Sequence, residues 1–312
     1  ELLKGLATVP VFGLFLAELW RKIRKDTLKK SNILSGLVQE KSAPAIIKGL
    51  SDSKHLNIGV IGYGGRGGHL VRGAGFATTG WTNTVAENAR KNKLDKQFQT
   101  FMDQEDLNCS LVGVCDLFDV RAEQGLDASQ NEVRPGGKPK KTATRYRHYK
   151  DLLANDDIDA VIIATPDHWH SRITIDAAKA GKHVYCEKGL TRTFQEAIDV
   201  YDVVKETGIT FQLGHQNRQV EANEKAKQII EQGLLGKINL VELATNRNSP
   251  WGAWVWGIHP EGNAKTIDWD TFQEPAPNKI PFGEEALKRF FRWRCWFDYG
   301  TGLSGDLLSH DF

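Results

Sequence analysis

Three side chains of the sequence could move a proton during a redox reaction: Lys188, Asp306 and His310. Oxidation of a secondary alcohol needs a base for the hydroxyl proton while hydride leaves the carbon for a nicotinamide ring. Asp306 and His310 are four residues apart in a segment that can be helical, so they share one face. The carboxylate can orient the imidazole or hold a hydroxyl, the histidine can exchange the proton, and Lys188 can polarise the same oxygen or act as the base. Because a lone D-x-x-x-H pair is usually a surface ion pair, this prediction depends on the elements around it.

A glycine-rich turn is the first of those elements. It follows the apolar run at residues 57–61 and has the spacing G-x-G-x-x-G at Gly62, Gly64 and Gly67. In a nucleotide-binding turn the first glycine allows the tight bend, the second lets a pyrophosphate approach the backbone, and the third lets helix and strand pack closely. The helix N-terminus then supplies free N–H groups to the phosphates. A purely steric glycine turn is the alternative. The predicted phosphate contacts are Gly62, Gly64, Gly65, Arg66 and Gly67.

Asp116 ends the next apolar run, at residues 109–115, where a carboxylate can accept the ribose hydroxyls of NAD and disfavour a 2′-phosphate. A turn aspartate that only terminates the strand is the alternative, and Arg121 leaves NADP open. In a compact dinucleotide fold this acid lies about 20 residues after the glycines. Here Asp116 is 49 positions beyond Gly67, so we predict an insertion between them, helical over residues 86–99.

Strands and helices continue to alternate after Asp116, with strands predicted at residues 158–164, 184–187 and 209–214 and helices at 173–180 and 194–206; a helix at residues 220–232 and a strand at 238–244 are predicted to open the second domain. This alternation predicts an α/β fold with a doubly wound parallel sheet, whose ligands lie at the carboxyl ends of the strands. The residues at those ends that we expect to contact the cofactor are Thr165, Pro166, His168, His170, Glu187 and Lys188. His215, Gln216 and Arg218 are expected to place hydrogen-bonding groups on the substrate.

No metal site is predicted. His168 and His170 have H-x-H spacing but no evident third ligand, so capping or lining the nicotinamide pocket is favoured over a metal. The four cysteines are dispersed, without C-x-x-C spacing, and are interpreted as reduced, mostly buried thiols. The net charge of +2 gives no indication of nucleic-acid binding.

Several motifs together resemble one family, the Gfo/Idh/MocA oxidoreductases. They are the glycine turn, ATPDHWH at residues 164–170, GKHVYCEK at 181–188 and GDLLSH at 305–310, and the resemblance covers residues 57–312. It implies a Rossmann domain followed by an α/β domain with an open sheet, NAD(P) between them, and a sugar or cyclitol substrate. The family's catalytic lysine of an E-K-P motif and its D-x-x-x-H pair correspond to Lys188, Asp306 and His310. The usual proline is Gly189 here, which removes a rigid φ after the lysine.

The chain is predicted to have three parts. Residues 1–50 form an apolar and basic segment with linker, residues 51–218 the dinucleotide-binding domain, and residues 219–312 the start of the substrate domain, with more chain expected beyond 312. Residues 1–8 resemble the part of a twin-arginine export signal that follows its arginine pair, and the apolar run at residues 5–20, followed by a basic run at 21–25, is similar to a signal h-region or an interfacial anchor. Residues 1–25 therefore predict contact with a membrane or a membrane complex. The expected location is periplasmic or membrane-associated. An amphipathic helix packed on protein, in a cytoplasmic chain, is the alternative.

The second half of the chain carries most of the tryptophan. Six of the nine tryptophans lie at residues 251–296, and Trp293 is flanked by arginines. The faces of tryptophan rings with arginines nearby are suited to stacking on the C–H surfaces of sugars, although core packing or a subunit interface explains these tryptophans about as well. We therefore predict Trp293 as a substrate contact, and a homo-oligomer if a C-terminal sheet is present.

Three functions remain open at this point. The first is an NAD(P)-dependent oxidoreductase of a sugar or polyol. The second is a redox-assisted glycosidase or lyase that regenerates bound NAD, and the third is a catalytically weak subunit of a membrane complex that keeps the fold. Fold alone constrains this choice weakly.

Overall fold

The computed structural model of the protein describes residues 55–134, 143–216, 220–242 and 252–307. The chain divides into two compact units, Glu1–Asp52 and Ser53–Phe312, and every described residue belongs to the second. The predicted signal or anchor segment, Arg218 and His310 therefore lie outside the described residues. In the described ranges, no helix is both long and apolar enough to cross a bilayer.

Six parallel strands form a single sheet in the order β3-β2-β1-β4-β5-β6. The strands are β1 Leu56–Ile61, β2 Cys109–Cys115, β3 Thr144–Tyr146, β4 Ala160–Ile163, β5 His183–Glu187 and β6 Phe211–Gly214. The order reverses between β1 and β4, which is the switch point where such sheets bind ligands. The predicted doubly wound α/β fold is confirmed.

The register brings the carboxyl ends of the central strands to one level. Ile61 at the end of β1 pairs with Cys115 of β2 on one side and with Ile163 of β4 on the other. Ile163 in turn pairs with Cys186 of β5. The residues that follow these strands therefore emerge along one edge of the sheet.

Helices cover both faces of the sheet and continue beyond it. They are α1 Gly65–Gly73, α2 Thr79–Lys91, α3 Gln97–Met102, α4 Asp119–Gln130, α5 Tyr149–Leu153, α6 Asp167–Lys179, α7 Phe194–Thr207, α8 Glu221–Glu231, α9 Trp269–Phe272, α10 Glu284–Phe291 and α11 Gly302–Asp306. Side chains of consecutive strand residues point to opposite faces. Val60 and Ile61 accordingly belong to two different hydrophobic clusters, and β2 is buried along its whole length.

The predicted insertion is helical, but it forms two helices, α2 and α3, rather than one over residues 86–99. The Thr78 hydroxyl accepts from the N–H of Trp81 and caps α2 several residues earlier than expected. After α2, the Asn92 side chain accepts from the N–H of Leu94, and the Asp95 carboxylate accepts from the N–H of Gln97. These local bonds compete with helical ones and separate the two helices.

The strand predicted at residues 238–244 is absent over its described part. Residues 238–242 are exposed coil, with no neighbouring strand to pair with in the described ranges, and the rest of that segment lies outside them. Residues 252–307 are helix and loop apart from one isolated antiparallel bridge between Phe118 and Ile267. This region joins the end of β2 through an aromatic cluster in which Phe118 contacts Phe290 and Phe291 edge to face.

Candidate active site

A cavity of about 610 Å³ opens at the carboxyl edge of the sheet. Its wall is formed by the turn after β1, the ends of β2, β4 and β5, and side chains from residues 256–294. The lining includes eleven of the residues predicted for the site: Gly62, Gly64, Gly65, Arg66, Asp116, Thr165, Pro166, His170, Glu187, Lys188 and Trp293. The strand ends thus bring together residues that are far apart in sequence.

The three glycines of the turn have different steric roles. Gly62 has φ of +88°, and a Cβ there would lie 2.8 Å from the carbonyl oxygen of Ala164. A Cβ at Gly67 would lie 2.0 Å from the Gly62 oxygen, so only glycine allows α1 to approach β1 this closely. A Cβ at Gly64 would meet only the Arg121 side chain at 3.8 Å, and one at Gly65 would meet nothing within 4 Å.

This cradle fits the pyrophosphate of a dinucleotide. The open space lies at Gly64 and Gly65, at the N-terminus of α1, where the first N–H groups have no acceptor inside the helix. The residue that follows Ala164 beside the turn offers a further donor, since the hydroxyl of Thr165 is buried and has no hydrogen-bond partner within the described part of the chain. Both features suit a bound NAD.

Asp116 terminates strand β2 and also lines the cavity. Its Oδ2 accepts from the N–H of Tyr63 at 2.7 Å and its Oδ1 from the N–H of Phe118 at 2.9 Å, so it ties the end of β2 to the glycine turn. Burial raises the pKa of this carboxyl, partly offset by Arg121 and by these two backbone bonds. The side chain also lines the cavity, where its remaining lone pairs can accept ribose hydroxyls.

Lys188, which lines the cavity, forms a buried ion pair with Asp306. The Lys188 Nζ donates to the Asp306 Oδ1 at 2.6 Å and to the Asp306 carbonyl oxygen at 2.7 Å. The Arg294 Nε lies 3.2 Å from the same Oδ1. Burial alone would raise the pKa of Asp306, but Arg294 and Lys188 outweigh it and hold the pKa below its usual value. The carboxylate thus stays charged and anchors both cations.

Replacing Asp306 with asparagine is expected to destabilise the fold in a pH-dependent way. Removing one partner of a buried ion pair typically costs about 3 kcal/mol, because the other charges stay buried without compensation. The folded-state pKa is depressed, so the carboxylate contributes its full stabilisation above the unfolded value of 3.8 and loses it as the pH falls through the folded value. Urea unfolding of both proteins should show the largest difference in free energy at neutral pH and a shrinking one below pH 3.8. A difference that does not change with pH would contradict this account.

His170 connects the ends of β4 and β5. Its Nδ1 lies 2.8 Å from the carbonyl oxygen of Gly189, and its Nε2 lies 2.7 Å from the carbonyl oxygen of Thr165. Both partners are acceptors, so both contacts are hydrogen bonds only when both ring nitrogens carry hydrogen. The buried Asp167 carboxylate nearby accepts from the N–H and hydroxyl of Thr301. His170 therefore holds the backbone on the C-terminal side of Lys188 against the end of β4.

His168 faces the opposite way, which corrects its predicted contact with the cofactor. Its Nε2 lies 2.7 Å from the Phe272 carbonyl oxygen, and its ring packs edge to face on Phe272 and Tyr299. Burial lowers the pKa of His168 to about 3, so the ring is neutral. Because α6 begins at Asp167, residues 168 and 170 lie on a helix, where positions two apart point in nearly opposite directions. In the described residues, no three His, Cys, Asp or Glu side chains are grouped as metal ligands.

Arg66 and Glu187 join the glycine turn to the end of β5. The Arg66 Nε lies 2.7 Å from the Glu187 Oε1, which also accepts from the Tyr185 hydroxyl at 3.1 Å. With its amide oxygen turned toward the guanidinium, Gln216 accepts from the Arg66 Nη1 at 2.8 Å. The pairing neutralises a carboxylate that would otherwise repel phosphates beside the cradle.

His215 and Gln216 do not line the cavity, contrary to their predicted contact with substrate. They follow β6, the edge strand, which lies beyond β5 and away from the switch point between β1 and β4. Gln216 instead contacts Arg66. The sequence interpretation also missed Arg294, whose only signal was its place beside Trp293 in an aromatic and basic run.

Comparison with known proteins places this geometry in a family. Residues 56–215 match the family model GFO_IDH_MocA, described as an oxidoreductase family with an NAD-binding Rossmann fold, and they make up just over half of the 312-residue chain. The chain belongs to this family. The Gfo/Idh/MocA resemblance of the motifs is thereby confirmed, and so is NAD as the cofactor of the fold.

Relatives of this Gfo/Idh/MocA protein differ in the reactions that their names describe. It is 42% identical over 90 residues to a levoglucosan dehydrogenase of Pseudarthrobacter phenanthrenivorans, covering 29% of this chain and 23% of the relative. It is 35% identical over 125 residues to a 2,7-anhydro-N-acetylneuraminate hydratase of Escherichia coli, covering 40% and 30%. It is 28% identical over 204 residues to an α-N-acetylgalactosaminidase of Shewanella oneidensis, covering 64% and 43%. The matches thus span less than half the length of these relatives.

A myo-inositol 2-dehydrogenase structure from Lactobacillus plantarum is similar at 27% identity and a TM-score of 0.43, covering 59% of this chain and 43% of that one.

Proposed function

We propose that this protein is an NAD-dependent oxidoreductase that transfers hydride between the nicotinamide and a secondary hydroxyl of a sugar or polyol. The observation that carries the proposal is the buried Lys188–Asp306 pair, because Lys188 lines the same cavity that the glycine cradle opens into. Similarity to a levoglucosan dehydrogenase supports a carbohydrate substrate. Trp293 in the cavity wall offers an aromatic face for the C–H surface of such a ring.

In this proposal some residues of the site exchange a proton with the substrate and others hold them in position. The bound nicotinamide supplies the hydride chemistry. Two hydrogens of the Lys188 ammonium are directed at Asp306, which leaves one for the reacting oxygen of the substrate. Lys188 thus stabilises negative charge on that oxygen and exchanges its proton, while Asp306 and Arg294 keep the amine in place. His310, predicted as a proton carrier, lies outside the described residues.

A second candidate is a redox-assisted glycosidase or lyase in which retained NAD is reduced and reoxidised within one turnover. The match to an α-N-acetylgalactosaminidase favours it, because that alignment is longer than those to the dehydrogenase and the hydratase. Both candidates use the same cradle and the same lysine. They differ in the fate of the hydride, which is released as NADH in the first and returned to the sugar in the second.

One experiment separates these candidates from a catalytically weak subunit. Small molecules released from the purified full chain are identified by mass spectrometry, and the protein is then given free sugars, polyols and aryl glycosides. NADH that accumulates with a free sugar or polyol supports the dehydrogenase. Glycoside cleavage without net NADH supports the second candidate. A protein that neither retains nor binds NAD would overturn both and favour the subunit.

The predicted membrane contact concerns residues 1–25, which lie outside the described residues, and the predicted homo-oligomer depends on a C-terminal sheet; both stay predictions.

A further inference from the structure

A second groove, of about 520 Å³, lies between α1 and the two insertion helices. It shares no residue with the nucleotide cavity. Its walls come from the last turns of α1, the start of α2, and α3 with its flanking residues. The lining residues are His69, Arg72, Gly73, Trp81, Lys96, Gln97, Thr100, Phe101 and Gln104.

The groove has basic side chains and no carboxylate in its lining. His69, Arg72 and Lys96 are its three basic residues, and its other polar groups are hydroxyl and amide groups. Arg72 is half-buried and stacks over the Trp81 ring, 5.1 Å from its centroid. Within the described residues its guanidinium forms no ion pair and no hydrogen bond. Burial lowers the pKa of Arg72, so an anion in the groove would recover an interaction that this cation lacks.

Contacts within the protein hold the walls of the groove. The Trp81 ring packs edge to face on Phe101, with centroids 5.3 Å apart. With its amide nitrogen turned toward α1, Gln104 donates to the carbonyl oxygens of Arg72 and Gly73 at 3.0 and 3.3 Å. These carbonyls belong to the last turn of α1, where the helix itself offers no donor. The Trp81 ring and the end of α1 that carries Arg72 are therefore held in place before any ligand binds.

We propose that this groove binds a phosphate group, carried either by a small metabolite or by a lipid headgroup. The Arg72 guanidinium and the Lys96 ammonium, which line the same groove, match a tetrahedral dianion in charge and in the number of donors, whereas a carboxylate would use fewer of them. The imidazole of His69 and the hydroxyl of Thr100 add two further donors at the rim. The insertion supplies most of the lining, although the compact dinucleotide fold does not require it.

Inorganic phosphate is the first probe, because it tests the shared chemistry. Calorimetric titration is done at constant ionic strength with NAD present in excess, so that the glycine cradle is already filled. We expect the Arg72→Met/Lys96→Met double variant to bind phosphate at least about tenfold more weakly, since hydrogen bonds to charged groups contribute at about this level. The matched control is Arg90→Met, which removes an exposed cation of α2 outside the groove. Equal affinity for phosphate in the double variant and the wild type would overturn the proposal.

A second measurement remains informative if the double variant folds poorly. Burial and the cations Arg66 and Arg72 lower the pKa of His69, while Glu187 acts in the opposite sense. A phosphate bound beside Arg72 cancels part of the cationic effect, so the pKa of His69 should rise when phosphate is added to the wild-type protein. Nuclear magnetic resonance of the histidine rings measures this shift. An unchanged pKa of His69 at saturating phosphate would contradict a site in this groove.

Two further arms identify the source of the phosphate. Glucose 6-phosphate represents a small phosphate monoester, and phosphatidylcholine vesicles with and without phosphatidic acid represent a headgroup. Binding that is lost in the double variant supports the proposal and names the source. A result in which neither ligand binds, or both bind independently of Arg72 and Lys96, would overturn it. None of these readouts depends on turnover, so failure of the proposed oxidoreductase activity leaves this test intact.

Discussion

Replacement of Lys188 by methionine is expected to lower turnover by about 10²- to 10⁴-fold, the range that general acid–base groups contribute. Lys188 is the amine in the cavity wall that Asp306 holds in place, and methionine keeps the length of the side chain without its donors. NAD affinity should change little, because Lys188 is only one of the predicted cofactor contacts, and the glycine turn and Asp116 supply the predicted contacts to the phosphates and the ribose. The measurement pairs NADH formation with a substrate found by the panel above and NAD titration by calorimetry.

The design must separate lost chemistry from lost structure. Arg294 still pairs with the Asp306 carboxylate in the variant, so the buried charge keeps one partner. Thermal unfolding should confirm that the fold persists. Lys179→Met, at the exposed end of α6, is the matched control and should keep full turnover. Undiminished turnover in Lys188→Met would remove this residue from the mechanism.

The sheet was predictable because its strands leave a strong local signal. Strand β2 was expected at residues 109–115 and is observed there. A strand that is buried along its whole length appears in the sequence as an apolar run bounded by polar residues, which is why it could be predicted. Its ends also placed Asp116 at the correct edge. Parallel strands need crossovers, and the glycine turn opens the first of them. Local pattern and global fold therefore agree in this part of the chain.

Side-chain direction was not predictable, because it depends on where each helix begins. Starting α6 at residue 173 would leave His168 and His170 both in a turn near the cofactor. The observed start at Asp167, after the extended N-cap Pro166, puts them on a helix and sends only His170 to the cavity. The expected strand at residues 238–244 failed for a related reason. The segment has β-propensity, but among the described residues no strand lies beside residues 238–242 to pair with them.

The partners of the catalytic candidates illustrate the same limit. Lys188 and Asp306 were paired through the family resemblance, since 118 positions separate them and no spacing rule connects them. The contacts of Arg294 and Gln216 had no pattern at all to reveal them. Arg294 lines the cavity and contacts Asp306, the partner of Lys188, whereas Gln216 lies outside the cavity and contacts Arg66. Such supporting contacts are how a site built from loops and strand ends is made rigid.

Substitution of the glycines one at a time is expected to separate folding from cofactor binding. Gly67→Ala should destabilise the protein by at least about 3 kcal/mol, because the new methyl group would overlap the Gly62 carbonyl oxygen at 2.0 Å and α1 would have to move. Gly73→Ala, in the same helix, is the matched control, since its methyl group would meet nothing within 4 Å. Urea unfolding of the two variants measures the difference.

Gly64→Ala should instead leave the free energy of unfolding near the wild-type value and lower NAD affinity about 10- to 100-fold. This change in affinity is expected if overpacking against a ligand costs about 1–3 kcal/mol. Its methyl group would meet only the far end of Arg121, at 3.8 Å, but it would enter the space proposed for the pyrophosphate. Calorimetric titration with NAD and with adenosine alone tests this point. The nucleoside lacks phosphates, so its affinity should be unaffected. If Gly64→Ala bound NAD as tightly as the wild type, the dinucleotide would not lie over this turn, and the assignment of Lys188 to the hydride-transfer site would lose its geometric basis.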